Sequence, residues 1–161
     1  MAKAPKQIKH IARELNNSIS DKIPNINSGG CGVFASLIYP KLKEMGYNPE
    51  IVIYDDSWEY PIEDKKKYLN QINNNGRVDV EAKRHTSFSH CCVKVDDFYF
   101  DGIQRGEDLQ HYWRRYNEGR FTQDELNTCL KVGSWNKRYS RRKSNPTLRA
   151  IIRKTLNQIK S

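Results

Sequence analysis

The sequence predicts an α+β domain: helices, then a small antiparallel sheet, then further helices toward the C-terminus. Three observations carry this expectation. Apolar residues recur at helical spacing in two early segments, Ile8, Ile11, Ala12, Leu15 and Ile19, then Val33, Phe34, Leu37, Ile38, Leu42 and Met45. A β-branched run at 51–54 reads as a strand, and residues 87–95 and 98–100 flank Asp96-Asp97 as a hairpin. Capping signals then reappear after residue 105 without further strand patterning.

Taken in order, the first periodic segment gives a helix over 6–19, and Pro24 enforces an extended stretch after it. Asn27-Ser28-Gly29-Gly30 is rich in cap and turn residues, so the second helix starts at or near Cys31. Pro40 lies inside that helix without an N–H to donate, which predicts a kink or an early stop; Gly46 ends whatever continues. After the strand at 51–54, Asp55-Asp56 and Trp58 open a loop, residues 62–72 read as a charged surface helix, and 78–80 as a strand edge. Beyond the hairpin come a helix around 106–117, a helix opened by Thr122 with Glu125 in a capping-box arrangement, and a helix from Asn145-Pro146 to about 159.

The 161 residues suit one domain with an appended section, and the charge shows where the section begins. Residues 1–130 carry 18 Lys+Arg and 19 Asp+Glu, whereas residues 131–161 carry ten Lys+Arg and no acid. The whole net charge of +9 therefore resides in the last fifth of the chain. We read 1–130 as the folded α+β domain and 131–161 as a basic helical extension packed on it or appended to it. Such a block is either a solvated face or a surface for an anionic neighbour. Arg138, Arg141, Arg142 and Lys143, with Trp135 and Tyr139 among them, supply phosphate-pairing cations and stacking rings. The expected partner is thus a nucleic acid or an acidic protein. No apolar run approaches the ~18–20 residues of a membrane span, and the N-terminus lacks the apolar core of a secretory signal. No membrane partner and a cytoplasmic location are the resulting expectations.

The four cysteines, Cys31, Cys91, Cys92 and Cys129, form no CxxC pair, and their expected state is reduced. Each is either small apolar filler or chemistry. Cys31 stands at a helix start, where the helix dipole and unpaired N–H groups favour a thiolate; Gly29 and Gly30 before it allow close backbone approach, and the same N–H groups suit an oxyanion. A nucleophilic thiol needs a base, and His90 is the candidate among His10, His85, His90 and His111. With a two-residue loop at Asp96-Asp97, Val95 faces Phe98 and Cys92 faces Asp101. Asp101 then lies diagonal to His90 on the face that also carries Cys92 and Lys94. That distance lets a carboxylate hold the imidazole, as the third member of a triad does. The other face, Cys91, Val93, Val95, Phe98 and Phe100, suits a core. A one-residue register change would undo the arrangement.

The segment from Asn27 to Met45, together with Ser89-His90-Cys91-Cys92-Val93-Lys94-Val95-Asp96-Asp97-Phe98-Tyr99-Phe100-Asp101-Gly102, resembles the papain-like cysteine proteinase superfamily, especially its transglutaminase-like branch. The likeness spans about residues 25–103 and extends to small bacteriophage proteins, which would place the protein in a host cytoplasm. It implies a Cys-bearing helix packed on a small antiparallel sheet that carries His and Asp, here Cys31, His90 and Asp101. Asn25 lies where papain-like enzymes place an oxyanion-hole amide; Asn27 is the alternative, and Gly30 adds backbone beside the thiol. The chain departs from familiar members in having no Trp after Cys31, no Gln before it, and Pro40 within the helix.

The expected activity is therefore cysteine-dependent acyl transfer on the amide bonds of a protein or peptide substrate, with no cofactor. His90 would draw the thiol proton, Cys31 would attack the carbonyl, and His90 would protonate the leaving amine. Hydrolysis and transamidation share that first half. Two alternatives stand beside it. Cys31, His90, Cys92 and Asp101 could bind zinc, although the paired short spacings of structural zinc sites are absent. The fold could also serve, without turnover, as a binding module that docks its partner through residues 131–161. Trp58, Phe88 and Tyr99 are candidates to line a groove, and Asp55-Asp56 either attract a cationic substrate or terminate a strand.

Overall fold

The computed structural model describes residues 7–11, 13–15, 31–55, 62–76, 86, 88–96, 98–100, 116–132, 150–155 and 157. Seven elements are complete: α1 (Cys31–Glu44), β1 (Glu50–Asp55), α2 (Ile62–Asn75), β2 (His90–Val95), β3 (Phe98–Phe100), β4 (Asn117–Phe121) and α3 (Gln123–Val132). Helical residues at 7–11 and 13–15 and at 150–155 and 157 flank them. The architecture is α+β, built on a four-stranded antiparallel sheet in the order β3-β2-β1-β4.

Sequence and geometry agree most closely at the hairpin. Val95 faces Phe98, Lys94 faces Tyr99 and Val93 faces Phe100, the register of a two-residue loop. Asp96 accordingly adopts φ 53°, the left-handed conformation that primed hairpin turns require and that Asp tolerates better than bulkier residues. Strand β2 begins at His90, three residues later than the sequence pattern suggests, and Ser89 instead donates its backbone N–H to the Tyr54 carbonyl at 2.9 Å.

The proline in α1 neither stops nor shortens the helix. It runs through Pro40 to Glu44 because the carbonyl deprived of its i+4 donor, that of Ser36, accepts from the side-chain amide of Gln123 at 3.3 Å. The helix then ends in a Schellman motif. Gly46, at φ 92°, donates to the Lys43 carbonyl at 3.0 Å, and Tyr47 donates to that of Leu42 at 3.1 Å. Leu42 and Tyr47 both belong to the main core, completing the apolar contact of that motif.

Strand β4 replaces the end of the helix expected over 106–117; residues 106–115 and the strand edge expected at 78–80 lie outside the described residues. Asn-Glu-Gly-Arg-Phe has poor strand composition. It is a strand because β1 offers an edge, pairing Ile51 with Phe121 and Asp55 with Asn117. Gly119 is required there, since a Cβ would collide with the side chain of Ile62 at the start of α2. The capping box at α3 forms as the sequence predicts: Thr122 N–H donates to Glu125 Oε1 at 2.8 Å, and Glu125 N–H to Thr122 Oγ1 at 3.1 Å.

The main core lies on one face of the sheet. Ile51, Ile53, Cys91, Val93, Val95, Phe98, Phe100 and Phe121 meet α1, α3 and the flanking helical residues there, and Ile151 and Ile152 join the same cluster. The C-terminal basic section is thus anchored to the domain core at that point. A second, smaller cluster on the other face holds Val52, Tyr54, Cys92 and Tyr99, with Tyr116 against it. No helix among the described residues is long and apolar enough to cross a membrane.

Candidate functional site

Strand parity places the two residues expected to share a proton. Cys31 is the first residue of α1, has no exposed surface, and belongs to the main core together with Cys91 and Cys129. Helix α1 packs on β2, and the β2 side chains in that core are Cys91, Val93 and Val95. His90 alternates with Cys91 and projects to the other face. There it lies opposite Tyr54, and the two rings stack with centroids 6.4 Å apart and planes 19° from parallel. Cys92 and Lys94 share this face, the latter with Nζ 5.5 Å from the centre of the Tyr99 ring.

Cys31 therefore lies in the main core with Cys91, and His90 lies beside Tyr54. The face assignment of the hairpin residues follows the sequence pattern. The helix carrying Cys31, however, packs against the apolar face, because that face has the larger area to bury. Asp101, Asn25, Asn27 and Gly30 lie outside the described residues, as do Arg138, Arg141, Arg142 and Lys143. Trp58 and Asp56 also lie outside them, while Phe88 and Tyr99 are buried at 4% and 2% exposure.

Burial sets the chemistry of the cysteines. All four are free thiols and buried. Desolvation pushes the Cys91 thiol well above its usual range, and the neighbouring Cys31, Cys92 and Cys129 sulfurs add to the effect. Burial likewise raises Cys129 to about 12, with Lys65 opposing the rise and Glu125 reinforcing it. These two are inert, neutral thiols at physiological pH. On the other face, burial raises the Tyr54 phenol, whose O–H donates to Glu118 Oε1 at 3.1 Å.

A polar cluster that the sequence reading did not single out lies between the end of β1, α2 and α3. Lys65 Nζ is 3.0 Å from Asp55 Oδ2, with side-chain exposures of 1% and 7%. This is a close charge pair, although Oδ2 receives no well-directed hydrogen bond. Asp55 therefore ends β1 as an internal counter-ion. Lys66 Nζ donates to the Arg120 carbonyl at 2.8 Å and lies 3.6 Å from the buried Glu125 carboxylate. Thr128 Oγ1 bonds to Asn73 Oδ1, tying α3 to α2. The only sequence signal was a lysine on the helix facing a strand-end aspartate, and an exposed pair would read the same way. Among the described residues no three His, Cys, Asp or Glu side chains group in a way that could hold a metal ion.

A separate cavity of about 440 Å³ opens between α1, α3 and the C-terminal helical residues. Lys41 and Arg153 bring two cations to its wall, Ser36, Gln123 and Asn127 bring polar groups, and Leu37, Pro40 and Ile152 bring apolar surface.

No protein-family model matches the chain, and no curated protein or solved structure matches it either.

Proposed function

We propose that the protein is a nucleic-acid-binding module whose basic C-terminal section meets the phosphate backbone, on a scaffold of papain-like character in which Cys31 is a packing residue. The single observation that carries this reading is the segregation of charge, ten cations and no acid over residues 131–161. Its anchoring to the domain supports it: Ile151 and Ile152 are buried in the main core while Arg153 and Lys154 are exposed. Trp135 and Tyr139 among the cations favour nucleic acid over an acidic protein, because rings stack on bases but not on carboxylates. The papain-like reading of the scaffold rests on α1, which begins at Cys31, packing against β2. The complete burial of Cys31 in the main core supports binding over acyl transfer.

Fluorescence anisotropy with labelled single- and double-stranded oligonucleotides over a salt series tests the proposal. The expected result is binding whose log affinity falls linearly with log salt, by ~0.7–0.9 per phosphate neutralised. Replacing Arg138, Arg141, Arg142 and Lys143 together with Gln should weaken binding and flatten that slope, with Cys31→Ala unchanged. Binding that is absent at 50 mM salt overturns the reading, and preferential capture of poly-glutamate replaces nucleic acid with an acidic protein. Covalent capture of an amide-mimicking thiol probe by the native protein, lost in Cys31→Ala, would instead establish the acyl-transfer enzyme.

A further inference from the structure

We draw no further inference here: the strongest candidate, the half-open cavity between α1, α3 and the C-terminal helical residues, offers the exposed cations Lys41 and Arg153 on a mixed wall in which nothing specifies a ligand.

Discussion

The side-chain amide of Gln123, the first residue of α3, donates to the backbone carbonyl of Ser36, the acceptor that Pro40 leaves without its helical partner. The contact spans 87 positions of sequence and replaces a missing hydrogen bond within α1. A buried carbonyl left unpaired costs ~1–3 kcal/mol, and this contact is only part-buried, so the lower end of that range applies. Gln123→Ala should therefore destabilise the protein by about that amount in urea denaturation. In a Pro40→Ala background, where residue 40 regains its N–H, the same substitution should cost much less. Additive effects of the two changes would show that Gln123 does not serve this carbonyl.

Removing one member of the Lys65–Asp55 pair leaves the other charge buried. With both side chains less than a tenth exposed, Lys65→Met should cost ~3–5 kcal/mol, and the paired change Lys65→Met with Asp55→Leu should recover most of that loss. Denaturant midpoints of the two single variants and the double variant measure this directly. A small effect of Lys65→Met alone would mean that water reaches Asp55.

Alkaline pH should weaken the fold through its thiols. Burial raises Cys129 from 9.0 to about 12, so between these values the unfolded chain releases a proton that the native state still holds. The native state then binds more protons, and unfolding becomes easier as pH rises, by ~1.4 kcal/mol per pH unit for each such group. Cys91 and Tyr54, also raised by burial, act in the same direction. Cys129→Ala should flatten the decline in thermal midpoint above pH 9; an unchanged slope would assign the decline to other groups.

Thiol accessibility follows from the same burial. All four cysteines are enclosed, so an aromatic disulfide reagent should react with none of them quickly in the native protein and with all four after denaturation. A single rapid thiol, abolished by Cys31→Ala, would demonstrate a solvent route to Cys31.

Gly119 should resist even the smallest side chain. Because a Cβ there would overlap Ile62, Gly119→Ala should destabilise the protein by ~1–3 kcal/mol, as overpacking commonly does. The companion change Ile62→Val, which removes a methyl from the collision, should restore part of the loss in thermal unfolding.

The local elements were legible because their causes are local. The Thr122–Glu125 box, the Schellman end at Gly46 and the two-residue turn at Asp96 each depend on residues within a few positions, and each forms as the sequence predicts. Strand β4 was not legible, because Asn117 to Phe121 lack strand propensity and pair only where β1 presents an edge. The continuation of α1 through Pro40 was hidden for the same reason, its replacement donor lying in α3.

Alternation along β2 was determined by the sequence alone, and with it the division into an apolar face at Cys91, Val93 and Val95 and a second face at His90, Cys92 and Lys94. Which of those faces receives α1 was decided only in three dimensions. Side-chain parity is a property of one strand, whereas the partner of a face depends on how much apolar area the whole chain can remove from water. That choice put Cys31 beside Cys91, turned His90 toward Tyr54, and left the clustered cations of the C-terminal section as the strongest functional signal of the chain.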